Sequence, residues 1–138
     1  MMIEIKEIPK EKTEFFEKEW KDFDEEIGIR WKKEKAVFGA FQNRKLIGYA
    51  TLDVTGGVGY VRKLLVAKAF RGQGIGEALI KRVEDDCRKR GCHKLTLKTT
   101  ERHKTALELY KRLGYRTEAM LENDKFKLAW HLMSKRLS

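Results

Sequence analysis

Apolar and polar residues alternate with two periods along this chain, and the switches between them outline its elements. From Ala36 to Val66 the period is two. Ala36–Phe41 and Leu46–Val54 read as strands joined by a hairpin turn at Gln42-Asn43-Arg44-Lys45, and Val58–Val66 reads as the next strand after a turn at Thr55-Gly56-Gly57. The period then lengthens. Ile75, Leu79, Val83 and Cys87 recur every four residues and predict a helix from Gly74. Arg88-Lys89-Arg90-Gly91 supplies its basic last turn and terminal glycine. Lys94–Lys98 alternates again. It follows the helix closely, so it should lie parallel to Val58–Val66 in a βαβ unit.

Positions 103, 106, 107, 110 and 113 share the face of another predicted helix, stopped by Gly114. Leu121 starts no clear element. Phe126, Leu128, Trp130 and Leu132 alternate as a last strand, with His131 on its other side. At the other end, Ile3, Ile5 and Ile8 predict a first strand. Phe16, Trp20, Phe23 and Ile27, spaced four, three and four, place their apolar groups on one helix face and are expected in the core.

The transition from Leu64-Leu65-Val66 into the helix carries the candidate chemistry. Its turn is Arg71-Gly72-Gln73-Gly74-Ile75-Gly76. The first N–H groups of a helix lack partners within it, and the helix dipole favours an anion there. Glycines remove the Cβ atoms that would keep a phosphate from those amides. The stretch therefore reads as a cradle for a phosphorylated ligand. The dinucleotide fingerprint fails, because its third glycine would fall on Glu77. The P-loop fails because Glu77 follows Gly76 where lysine is required.

Length adds that 138 residues suit a single domain, 1–138, able to bury a core. Charge adds an asymmetry. The net charge is +10, yet residues 1–35 carry nine basic and eleven acidic side chains, leaving 22 basic against ten acidic in the rest. The basic body suits a polyphosphate ligand or a nucleic acid, and the acidic Glu11–Glu26 segment suits a cationic substrate. No aromatic–basic interleaving or recognition helix supports nucleic acid. No apolar run reaches membrane-spanning length, and the N-terminus lacks an apolar signal core. Cys87 and Cys92, without a second ligand pair, read as reduced thiols of a cytoplasmic protein and not as a metal site.

Two motifs together resemble the GNAT superfamily of N-acetyltransferases. One is Leu64-Leu65-Val66 followed by Arg71-x-x-Gly74-x-Gly76. The other is Ala106-x-x-Leu109-Tyr110-x-x-x-Gly114-Tyr115, one helix and one strand later. The resemblance covers nearly the whole chain and is strongest over Val58–Tyr115. It implies an α/β (α+β) GNAT fold: a mixed, mostly antiparallel central sheet flanked by helices, with a βαβ unit that binds acyl-coenzyme A. It implies acetyl-coenzyme A as co-substrate, no metal, and a small-molecule or protein amine as acceptor. Backbone groups of Leu64, Leu65 and Val66 would hold the pantetheine arm. The amides of Arg71, Gly72, Gln73, Gly74, Ile75 and Gly76 would hold the pyrophosphate. Tyr110 would protonate the departing thiolate, a sensible match since a phenol ionises near 10 and a thiol near 8.5.

This sequence departs from the family pattern twice. His103 stands where the family has an asparagine that often contacts the coenzyme, so His103 is a candidate coenzyme contact. The strand before the glycine turn also lacks the glutamate that many members use as base. Asp53, Glu25, Glu26, His131 or water alone stay open for that role. A nucleic-acid-binding module, and a coenzyme A-binding domain without catalysis, are the alternatives to an enzyme.

Overall fold

The computed structural model describes residues 2–138. Two compact units divide the chain, Met1–Trp31 and Lys32–Ser138. The first holds a 3-10 turn, Lys10–Phe16, running into helix α1, Glu17–Glu26. The predicted strand over Ile3–Ile8 does not form: a strand needs a pairing partner, and the described residues of this unit contain none. The aromatic face of α1 forms as the spacing predicts. It has no second layer within its unit, however, so Phe16, Trp20, Phe23 and Ile27 are exposed rather than core.

The second unit is built on one six-stranded sheet in the order β1-β2-β3-β4-β6-β5. Its strands are β1 (Glu34–Gln42), β2 (Lys45–Thr55), β3 (Val58–Val66), β4 (Lys94–Thr100), β5 (Arg116–Leu121) and β6 (Trp130–Arg136). Helices α2 (Ile75–Lys89) and α3 (Lys104–Arg112) complete it. All neighbours are antiparallel except β3 and β4, which the α2 crossover makes parallel, as expected for a βαβ unit. The β1–β2 hairpin closes through Asn43 and Arg44, both with positive φ (49° and 68°), the geometry that matches strand twist.

Strand β5 is not foreshadowed by any apolar alternation, and β6 begins at Trp130, four residues later than the pattern suggests. Phe126 and Lys127 adopt left-handed φ values (60° and 58°), which break the extended run. Phe126 is consequently exposed, while His131 and Met133 turn inward.

One face of α2 covers the sheet. Leu79, Ile80, Val83 and Cys87 are buried with Leu52, Leu95, Leu97 and Met133. The helix approaches β3 closely at Gly59, where a Cβ would stand 2.7 Å from Cys87 Sγ and 2.9 Å from Leu95 Cδ1.

Both helices end alike. At α2, Gly91 has φ 81°, its N–H donates to the Arg88 carbonyl, and the Cys92 N–H donates to the Cys87 carbonyl at 2.9 Å. At α3, Gly114 has φ 96°, its N–H donates to the Lys111 carbonyl, and the Tyr115 N–H donates to the Tyr110 carbonyl at 2.9 Å. These are Schellman terminations, which bring the residue after the glycine against the one five positions earlier. The five-residue spacing of the two cysteines is thereby explained: both are buried apolar contacts at a helix end. Among the described residues, no helix is long and apolar enough to cross a membrane.

The contact at Gly59 yields a stability test. Gly59→Ala forces a methyl group into a filled space and is expected to cost about 1–3 kcal/mol. A urea midpoint unchanged from the parent would contradict this packing of α2.

Candidate active site

A fork in the sheet creates the site. β3 and β4 pair only from Val58↔Lys94 to Val61↔Leu97, although β3 runs on to Val66 and β4 to Thr100. The cause is a bulge. Against β2, Leu52 faces Val61 and Thr51 faces Lys63, so Arg62 is an extra residue. Such an insertion bends the strand and increases its twist. The Thr51 hydroxyl accepts a hydrogen bond from the Lys63 N–H at 3.0 Å, satisfying a donor at the irregularity.

Beyond the bulge, backbone groups still alternate sides. The Ala67 N–H turns to β2 and donates to the Ile47 carbonyl, while the Val66 carbonyl turns the other way and accepts from Arg71 Nε at 2.9 Å. By the same alternation the Leu64 N–H and C=O face the fork, where β4 no longer meets them. They form a short free strand edge to which an extended chain can pair.

Two cavities lie along this edge. The first, about 350 Å³, is lined by Arg62–Leu65 from β3, Leu97–Thr99 from β4, Tyr49 from β2, and His103, Ala106 and Tyr110 from the segment around α3. Tyr110 is buried, and burial raises its phenol above the usual value, so it remains a proton donor through neutral pH. The ring is held from behind. Tyr115 packs edge-on against it, with centroids 6.0 Å apart, and donates from its own hydroxyl to Glu84 Oε2 on α2 at 2.8 Å. Lys135 Nζ lies 3.1 Å from the same buried carboxylate, so the buried charge is paired.

The second cavity, about 390 Å³, surrounds the glycine turn and includes Val66, Arg71, Gly72, Gly74, Ile75 and Gly76. Gly74 caps α2 in the left-handed conformation (φ 80°), and Gly72 is left-handed too (φ 76°). A Cβ at either would meet nothing within 4 Å, so the turn faces open space. The Ala78 N–H is the first of α2 to bond back, to the Gly74 carbonyl. The amides of Ile75, Gly76 and Glu77 precede it and have no partner within the helix. Open left-handed glycines beside partnerless amides fit a pyrophosphate. Two carboxylates, Glu77 and Glu108, also border the cavity, with Arg71 and Arg112 opposing them.

The residues singled out in the sequence thus fall into two groups on one cleft. Leu64, Leu65, His103 and Tyr110 line the first cavity, and Val66, Arg71, Gly72, Gly74, Ile75 and Gly76 the second. Gln73 is exposed and lines neither. Arg71 uses its Nε to fasten the turn to Val66. Neither candidate base of the second unit, Asp53 or His131, lines the Tyr110 cavity. Asp53 is engaged by Arg62. His131 is buried between Thr117 Oγ1 (2.9 Å) and Glu101 Oε1 (3.3 Å). Glu25 and Glu26 belong to the first unit. Sequence reasoning missed Tyr49, Arg62 and Lys98. They come from three different strands, and only the fork assembles them.

Comparisons with known proteins bear on the family and the fold. The family model for the acetyltransferase (GNAT) family matches residues 5–115. The chain belongs to that family. An IAA acetyltransferase of Azospirillum brasilense is 35% identical over 68 residues, 49% of this chain and 44% of that protein. A thialysine N-epsilon-acetyltransferase of Bos taurus is 40% identical over 55 residues, 40% of this chain and 32% of that protein. The matched stretches span less than half the length of these curated relatives. The fold matches a solved acetyltransferase from Bacillus cereus, with TM-score 0.81 and 20% identity over 97% of each chain. It also matches a streptothricin acetyltransferase from Bacillus anthracis in complex with acetyl-coenzyme A, with TM-score 0.70 and 16% identity over 74% of this chain and 62% of that one.

The buried phenols and thiols predict an alkaline limit to stability. Burial raises Tyr110, Tyr115 and Cys92, and pushes the Cys87 thiol up to about 12. Each keeps its proton in the folded state after the unfolded chain has lost it. Their contribution is therefore full below about pH 8 and is lost as pH rises toward 12. The urea midpoint should fall from about pH 9 upward. A thiol reagent at pH 8 should reach neither cysteine until the protein unfolds. Rapid labelling of Cys87 in the native state would contradict its placement.

Proposed function

We propose that this chain transfers an acetyl group from acetyl-coenzyme A to a primary amine by direct attack on the thioester. One observation carries the reading. The free edge of β3 at Leu64 runs between a partnerless-amide turn at one end and a buried phenol with a raised pKa at the other. A ligand laid along it would place its pyrophosphate on the amides of Ile75–Glu77 and pair its amide-bearing arm with Leu64. Its thioester would then reach the Tyr110 cavity. The Tyr110 hydroxyl has no hydrogen-bond partner among the described residues and can donate its proton to the departing thiolate. A backbone N–H of β3 would meet the developing oxyanion. His103, which opens α3, lines the same cavity and is assigned to the coenzyme side.

The family match supports acetyl transfer. The thialysine N-epsilon-acetyltransferase relative supports nitrogen as the acceptor atom. The acceptor is a small-molecule or protein amine; a protein terminus, a polyamine and other cationic amines fall within that class. The cleft gives no support to the nucleic-acid alternative. We assign the whole chain to one catalytic domain. Buried, unbridged Cys87 and Cys92 suit the reducing cytoplasm.

Acetyl-coenzyme A should raise the melting temperature by mass action. Tyr110→Phe should keep that shift while lowering kcat by about a hundredfold. An unchanged kcat with every accepted amine would remove Tyr110 from the chemistry. No thermal shift in the parent protein would remove the coenzyme.

A further inference from the structure

The Tyr110 cavity carries a charge pattern that the coenzyme does not explain. None of its twelve lining residues is a carboxylate, while Arg62, Lys63 and Lys98 are all basic. Coenzyme A carries its anions on the pyrophosphate and the ribose phosphate, and the pyrophosphate cradle is the other cavity, around Gly74. The arm that would reach Tyr110 is uncharged. Cations at this end therefore face something other than the donor.

Two of them are fixed in place with donors to spare. Arg62 directs Nε and one Nη to a single oxygen of Asp53, and its guanidinium carries five N–H groups in all. Lys98 Nζ lies 3.2 Å from Asp124 Oδ2 and 5.6 Å from the centre of the Trp130 ring, leaving other ammonium protons free. Lys63 makes no ion pair among the described residues, so the wall keeps an uncompensated positive charge.

We propose that the acceptor is an α-amine carrying a neighbouring carboxylate, held by Arg62, Lys63 and Lys98. This rests on the acetyltransferase reading and names its acceptor class. The same cations account for the missing base. Like charge disfavours an ammonium, so the wall promotes the neutral, nucleophilic amine without a carboxylate to take its proton. A peptide's terminal α-amine ionises near 8 and is about half neutral at that pH, whereas a lysine ε-amine near 10.4 is almost wholly charged. A polycation would enter this wall against repulsion and bring no anion to match it.

Initial rates of thiol release at pH 8 test the proposal. The acceptors are aspartyl-glycinamide against asparaginyl-glycinamide, free alanine against alaninamide, and spermidine. The carboxylate-bearing member of at least one pair should show a kcat/KM about tenfold higher, mostly through KM. Whichever pair shows the difference tells whether a peptide terminus or a free amino acid is the source. Arg62→Gln and Lys98→Gln, made separately, should each narrow that ratio to about two, and added salt should narrow it in the parent protein. Equal rates within both pairs, faster turnover of spermidine, or a ratio kept in both variants would overturn the proposal. So would no turnover of any amine while acetyl-coenzyme A still raises the melting temperature, and in each of these cases the coenzyme reading stands. Loss of the thermal shift in the parent protein would instead sink the acetyltransferase reading itself.

Discussion

A single extra residue in β3 shapes everything the cleft can do. While β3 and β4 pair, their backbone groups satisfy each other. At Arg62 the strand bends and the ladder ends, four residues into a nine-residue strand. Opening a parallel pair exposes polar backbone that must find another partner. Thr51 serves one donor, and Arg71 serves the Val66 carbonyl. Leu64 is left facing the gap. The fork is thus at once a cavity and a short vacant strand edge, and both ends of that edge are furnished by the chain on either side.

The two helices that furnish those ends are tied to each other as well as to the sheet. α2 starts at the left-handed Gly74 and presents its partnerless amides. Three turns along, the buried Glu84 accepts a hydrogen bond from Tyr115. Tyr115 follows the glycine that ends α3, and that termination sets its ring against Tyr110. The spacing Tyr110-x-x-x-Gly114-Tyr115 therefore has a physical meaning beyond family likeness. This helix ending sets a second aromatic ring against the first and braces it from behind. Position of the phenol and position of the amide turn are coupled through one buried carboxylate.

Much of this was legible in the sequence, and the exceptions share a cause. Val58–Val66 was readable to the residue because a Gly-Gly turn precedes it and the period changes after it. The helix faces of α2 and α3 were readable because their apolar spacing agrees with burial. Strand β5 was not, since Arg116, Glu118 and the exposed Met120 spoil its alternation at the sheet edge. The β6 start was misplaced because two non-glycine residues take left-handed φ values that no local pattern announces. The α1 aromatics keep helical spacing, yet spacing reports a face and not what covers it. The site divided in the same way. Residues belonging to contiguous motifs were found, whereas Tyr49, Arg62 and Lys98 depend on a bulge that leaves no mark in the residue pattern.

The account turns on a ligand pairing with the free edge of β3 and ending on the amides of α2. Backbone amide chemical shifts during titration with coenzyme A test this most directly. The amides of Leu64–Val66 and of Gly72–Glu77 should move together and saturate at one ligand concentration, while those of the β1 edge, Lys35–Phe41, stay still. Shifts confined to the β1 edge or to α1, or movement of the glycine turn without Leu64, would contradict it.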